Sequence, residues 1–344
     1  MLALKSLAQE GYNAYREICD GLDEKFRYYL DEFLHTRKTT TRLMKEAEDL
    51  PNLRVIFSEG ISFPVGLLYS KDPRSLNWNL EHFLENIAHF FDLKFRIYNC
   101  FKLEAFKVKG YMQGDVYLKD KKSIKVIHAL DERFEIEKEK ELWQLDTEID
   151  PRKVVTVEEL VDHWKMEPHP RIIHFSSHFT LAPEQSPPYS LSLSNGHLFT
   201  RNTLWDIKPK PERKALFFLN VCKSANLEGN FISNIFSDLF PDYALGFIAT
   251  VYNLPDKEAA EMPERFYETF FNTSYPILRA YADAKRSLIL SKRKLSALGY
   301  TFWLTNINLR YSEKEATKPN KYTNGFISSS KKKKNDKNKK RKKR

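Results

Sequence analysis

The chain has 344 residues, 42% of them hydrophobic and 14% aromatic, enough for one large folded domain or two small ones. No run of about 18 apolar residues is present, which argues against a membrane-spanning helix, and three scattered cysteines (Cys19, Cys100, Cys222) are too few for a disulfide framework. The net charge of +10 sits in the last fourteen residues, "KKKKNDKNKKRKKR", with eleven Lys/Arg and one Asp, so residues 1–330 are close to neutral.

Taken in chain order, residues 5–49 read as helical. Tyr15, Ile18, Leu22, Phe26, Leu30 and Phe33 recur at spacings of three and four, one apolar face at helical period. "MLALKSLAQEGYN" lacks the apolar stretch of a secretory signal, and with so few cysteines the expected compartment is a reducing cytoplasm. "LRVIFS" (Leu53–Ser58) is a short buried strand, "HFLENIAHFF" a helix and "KFRIYNCFKL" a further strand. From 108 to 143 short β-like runs alternate with turns, which suggests hairpins.

The second half alternates more cleanly. "TVEELVDHWKM" carries Thr156 with Glu159 three residues on, the capping-box pattern of a helix start. "RIIHFSS" (Arg171–Ser177) is a strand, and "YSLSLSNGHLFT" is a hairpin with Asn195-Gly196 at its turn. "KALFFLNV" and "ALGFIATV" are strands, and "LEGNFISNIFSDLF" between them is a helix. "DKEAAEMPERFYETFFN" and "YPILRAYADAKRSLILSKRKL" are helices, and "YTFWLTNINLR" is a last strand. Strands alternating with helices predict an α/β fold, a mostly parallel sheet covered on both faces. The absence of G-x-G-x-x-G, in a chain with 11 glycines, argues against a dinucleotide-binding version of that pattern.

In such a sheet ligands bind beyond the carboxyl ends of the strands. Ser176-Ser177-His178, Val221-Cys222-Lys223 and residues 251–256 should therefore share one edge. A thiol becomes a useful nucleophile on ionising, and a nearby imidazole can take its proton or stabilise the thiolate. His178 and Cys222, 44 residues apart, are the candidate pair. For each, the alternative is structural: a buried core cysteine and a strand-end histidine bonded to backbone. His174 and His178 are four apart, but on a strand that spacing does not gather metal ligands, so no metal or cofactor is expected. Cys19 and Cys100 read as core. Ser176 and Asn220 either support the pair by hydrogen bonds or simply end strands.

Several ordered stretches resemble the caspase-like cysteine peptidases, in particular their CHAT (caspase-HetF-associated) branch. "IIHFSSHF" is similar to the family's strand ending in histidine, and "YSLSLSNGHLFTRNTLWDI" to the hairpin that follows. "FFLNVCKSA" is similar to the strand ending in cysteine, "GFIATVYNLPDKEAAEMPERFYETFF" to the next strand, loop and helix, and "YTFWLTNINL" to the last strand. "GISFPVGLLYS" resembles a stretch near the family's start, so the likeness covers roughly residues 10–311. Caspases, with about 50 residues between histidine and cysteine, separases and gingipains are more distant relatives.

The resemblance implies a caspase-like three-layer sandwich and cysteine-dependent peptide cleavage, with His178 as base, Cys222 as nucleophile and the Cys222 backbone N–H in the oxyanion hole. It implies a protein or peptide substrate, no cofactor, and activation by a sensor in a signalling or defence system. CHAT domains are commonly attached to sensor modules; this sequence shows none, so a separate partner is expected. The family usually places glycine straight after the histidine, where this chain has Phe179; a side chain there would narrow the substrate cleft, and a catalytically silent interaction module is the alternative. Ser177 and Phe179 are candidate substrate contacts. Asp256 caps a helix, and in relatives that cut after Arg or Lys an acidic residue of this loop lies in the specificity pocket. The expected organisation is one domain over 1–312 (1–150 an N-terminal part, 151–312 the catalytic core), a linker over 313–330 and a tail over 331–344. Like charges this dense repel and should be disordered; the tail is either a tether to nucleic acid or another acidic partner, or a solvated end.

Overall fold

"ALFFLNV" and "ALGFIAT" are apolar at nearly every position, so both faces of each segment must be covered. They form β9 (Ala215–Val221) and β10 (Ala244–Thr250), every residue of which is buried. The structure, a computed structural model, describes residues 1–25, 27–28, 34, 50–57, 64–101, 115–118, 124–133, 151–181, 189–200, 202–203, 207, 214–221, 244–254, 256–273, 275–304 and 308–311. All of them lie in the first of two units into which the chain divides, Met1–Glu313 and Lys314–Arg344.

Around β9 and β10 the main sheet adds β1 (Asn52–Phe57), β2 (Arg96–Phe101), β4 (Lys125–Leu130), β5 (Pro151–Val154), β6 (Pro170–Leu181) and β11 (Tyr300–Leu304). The order is β1-β2-β11-β10-β9-β6-β4-β5. Every neighbouring pair is parallel except β10 with β11. Hence β4, β5, β6, β9 and β10 run one way and β1, β2 and β11 the other, and the carboxyl ends of β4, β6, β9 and β10 lie along one edge.

Helices cover both faces. On one, α6 (Glu261–Asn272) and α7 (Ile277–Leu290) bring Phe266, Tyr267, Phe270, Leu278, Tyr281 and Leu288 against Ile172, Leu216, Phe218 and Ile248. On the other, Leu160 and Trp164 of α4 (Val157–Lys165) pack with Ile173, Phe175, Phe217 and Phe247. The alternation of β side chains between faces sorts neighbouring residues into these two cores. The fold is thus the expected α/β one, a mostly parallel sheet between helical layers.

The capping box at the start of α4 is formed. The Glu159 N–H donates to Thr156 Oγ1 at 3.2 Å, and the Thr156 N–H donates to Glu159 Oε2 at 3.3 Å. The hairpin over 189–199 is also formed: β7 (Tyr189–Ser192) and β8 (Leu198–Phe199) pair antiparallel, with Leu191 opposite Phe199. Asn195 (φ 58°) and Gly196 (φ 77°) turn it in the left-handed region that such turns require.

Other expectations change. In α1 (Leu2–Asp20) the buried residues are Leu4, Ala8, Gly11, Tyr15 and Cys19, while Ile18 is 42% exposed. Tyr15 starts the expected stripe, but the helix buries the stripe one residue round, because Gly11 lets the backbone press against the Leu67 carbonyl, where a Cβ would collide. The run 108–143 does not form hairpins among the described residues. β3 (Asp115–Leu118) pairs with β12 (Asn308–Tyr311) in a two-stranded parallel sheet, and β4 is a parallel strand of the main sheet between β5 and β6. "YTFWLTNINLR" accordingly divides into β11 and β12, in different sheets. The segment after β10 forms two helices, α5 (Asp256–Ala259) and α6, rather than one. "HFLENIAHFF" yields two short helices, α2 (Phe83–Ile87) and α3 (Phe91–Lys94). The segment "LEGNFISNIFSDLF", the linker and the tail lie outside the described residues.

Candidate active site

β6 and β9 are parallel neighbours, in register from Ile172↔Leu216 to Ser177↔Val221. His178 follows the last paired residue of one strand, and Cys222 follows that of the other in sequence; Cys222 itself lies outside the described residues. β6 does not stop at Ser177. It continues to Leu181 and changes partners, pairing antiparallel with β7 through His178↔Ser192 and Phe179↔Leu191. His178, half-buried, thus sits where β6 leaves the parallel sheet.

Neighbouring side chains fasten this edge. The Thr250 hydroxyl, at the end of β10, donates to the Val221 carbonyl at 2.6 Å, holding the peptide that leads into Cys222. Asn220 Nδ2 donates to the Ala259 carbonyl at 3.1 Å, and the Tyr300 hydroxyl lies 2.9 Å from both Asn220 Oδ1 and that carbonyl. Asn220 therefore ties β9 to the end of α5 and the start of β11. Ser177 is fully buried and its hydroxyl donates to the Ser192 carbonyl at 2.5 Å, so that hydroxyl is committed to joining β6 and β7. Phe179 lies in the ladder opposite Leu191, an extended setting that asks for no glycine. Asp256 is the first residue of α5.

Ser176 and His174 face the core instead. Ser176 Oγ lies 2.7 Å from His128 Nε2. His174 is fully buried: Nδ1 is 3.0 Å from the Tyr267 hydroxyl and the ring stacks on Phe218. Burial pulls its pKa down to about 3, so it is neutral at neutral pH.

One residue at this edge was not singled out from the sequence. Asp131 follows β4, the strand beside β6, and is 0% exposed. Its backbone N–H donates to the Ser176 carbonyl at 2.9 Å. Arg133 holds its carboxylate: the backbone N–H and Nε donate to Oδ1 at 3.1 and 3.0 Å, and Nη2 donates to Oδ2 at 2.7 Å. Burial pushes the Asp131 carboxyl up, but the hydrogen bonds from Arg133 and the charges of Arg133 and His178 outweigh it and hold it below the usual range. The signal was "KVIHALDER", a buried run with an acid just past its end; reading it as hairpin obscured it.

No protein-family model and no curated protein matches the chain. Among solved structures it is similar to the Saccharomyces cerevisiae separase–securin complex, with 13% identity and a TM-score of 0.40, over 67% of this chain and 14% of that one. It is similar to the complex of Porphyromonas gingivalis RgpB pro- and mature domains, with 11% identity and a TM-score of 0.48, over 82% and 77% of the two chains. It is also similar to the Arg-specific cysteine proteinase gingipain R, with 12% identity and a TM-score of 0.46, over 80% and 67%.

Proposed function

We propose that the chain is a caspase-like cysteine endopeptidase of the CHAT type, with Cys222 as nucleophile and His178 as general base. The supporting observation is the β6–β9 register: neighbouring parallel strands pair up to Ser177↔Val221, the residues just before His178 and Cys222. In this reading His178 accepts the thiol proton and the sulfur attacks the scissile carbonyl carbon. The C–N bond then breaks, with the leaving amine taking the proton from His178. Water, deprotonated by His178, hydrolyses the thioester and the thiol is restored. The Cys222 backbone N–H, steadied through the Thr250–Val221 bond, is a donor to the oxyanion.

The remaining assignments belong to the same proposal. Asp256, Phe179 and Ser177 border the substrate cleft, and the Asp256 carboxylate favours a basic residue before the cut. The substrate is a protein or peptide, a partner protein activates the enzyme in a signalling or defence setting, and the place of action is the cytoplasm. Residues 1–312 act as one domain, 313–330 as a linker, and 331–344 as a disordered tether for an acidic partner or nucleic acid. No helix among the described residues is long and apolar enough to cross a membrane. Phe179, in place of the family's glycine, is the feature that favours a second reading, a silent interaction module.

Alkylation of the native protein by iodoacetamide, read by peptide mass spectrometry, tests the proposal. Cys222 should react much faster than the buried Cys19, and His178→Ala should remove most of that advantage. An unchanged rate in the variant would show a merely accessible thiol and support the silent module.

A further inference from the structure

An aspartate with no exposed surface at a sheet edge is costly unless paired. Its partner could have come from anywhere, yet Arg133 does two things at once. Its guanidinium grips the Asp131 carboxylate and its Nη2 also donates to Ser192 Oγ. Ser192 is the register partner of His178 across the β6–β7 ladder. Directly opposed residues of an antiparallel pair project to the same face with Cβ atoms about 4.5–5.5 Å apart. The ion pair is therefore anchored on the side chain standing beside His178, where β6 has just left the support of β4 and β9. A second anchor comes from the same turn: the Glu132 N–H donates to Ser194 Oγ at 2.8 Å, and Ser194 Oγ reaches the Leu130 carbonyl at 3.2 Å. The end of β4 thus grips both Ser192 and Ser194.

We propose that Asp131 and Arg133 form a positioning unit for His178, which clamps β7 against the end of β4 and sets the charge felt by the imidazole. The inference deepens the peptidase reading, since it concerns the base of that same site. The two members act differently. The Asp131 carboxylate is buried and weakly screened, and the charges of Asp131 and His178 already act on one another. The Arg133 side chain is 63% exposed, and its cation partly neutralises the carboxylate. The charged groups around the imidazole on this side are Asp131, Glu132 and Arg133 of the β4 end; Ser192, opposite on β7, is uncharged.

The sign of each change separates charge from structure. Asp131→Asn keeps the shape of the side chain but removes the anion that favours imidazolium. Arg133→Gln, at an exposed side chain, leaves the anion less compensated. The measurement is the pH titration of the His178 ring by NMR on the full chain with labelled histidine, assigned with His178→Gln, and folding of each variant is checked by circular dichroism. The expected result is a midpoint lower by roughly half a unit or more in Asp131→Asn and higher in Arg133→Gln. The inference is overturned if both midpoints stay at the wild-type value, or if both move the same way as a loosened structure would make them. This readout needs no peptidase activity. Opposite shifts with a slow, His178-independent Cys222 alkylation would sink the peptidase reading alone; a fast, His178-dependent alkylation with unmoved midpoints would sink only the clamp.

Discussion

His174 and His178 lie on one strand, four residues apart, and have opposite fates. The strand turns out of the parallel sheet between them, so His174 stays under α6 while His178 reaches the edge. The histidine spacing could not report this, because the partner switch of β6 depends on β7, which follows it in the chain. The buried ring has a measurable consequence. Its folded pKa of about 3 lies below the ordinary value of 6.5. The unfolded chain therefore binds the extra proton between those limits, and the stability this group supplies is full above pH 6.5 and falls as pH falls. Between pH 6.5 and 5 the loss from His174 is about 2 kcal/mol. Urea unfolding at several pH values should show a shallower decline over this window in His174→Gln than in wild type. Parallel declines would mean that the ring is solvated or charged in the fold.

At the scale of elements, the second half was legible because its signals are local. The Thr156–Glu159 box and the Asn195-Gly196 turn are set by backbone geometry within a few residues, and both form as expected. Thr156→Ala should cost about 1 kcal/mol in urea unfolding, and Glu159→Ala a similar amount. Because each residue satisfies a donor at the other's backbone, the double variant should lose less than the sum. Strictly additive losses would show that the two bonds act independently. The stretch 108–143 illustrates the opposite case. "KVIHAL" carries strand propensity but no information about its partner, and β4 pairs with β5 and β6, the latter over forty residues away. That misreading hid Asp131, whose interest arises from sitting beside β6.

For the molecule as a whole, a buried ion pair joins the N-terminal half to the C-terminal half. Lys285 of α7 donates to Asp92 Oδ2 of α3 at 2.5 Å and to the Tyr300 carbonyl at 2.6 Å. Burial pushes the Asp92 carboxyl up and the Lys285 ammonium down, each opposed by the other's charge. Gly66 presses against the same carboxylate, where a Cβ would collide. Tyr300 in turn reaches Asn220, two residues before Cys222, so this pair supports the strand that leads into the candidate site. Asp92→Asn strands a buried ammonium and should cost about 3–5 kcal/mol in thermal or urea unfolding. Replacing both partners by apolar residues, Asp92→Leu with Lys285→Met, should recover much of it. A small loss in the single variant would mean that water reaches Lys285.

The sequence by itself determined the layered α/β class, the capped helix, the tight hairpin and the two strand ends that carry His178 and Cys222 forward. Each of these is written in local patterns: a both-faced apolar run, a residue three positions on, a turn dipeptide. Only the tertiary structure decided that β4 belongs in the main sheet, that β6 changes partners at His178, and that Asp131, Arg133 and Ser192 gather beside it. Those facts are pairings between segments remote in sequence. Burial and hydrogen bonding select them among competing alternatives only once the whole sheet is assembled.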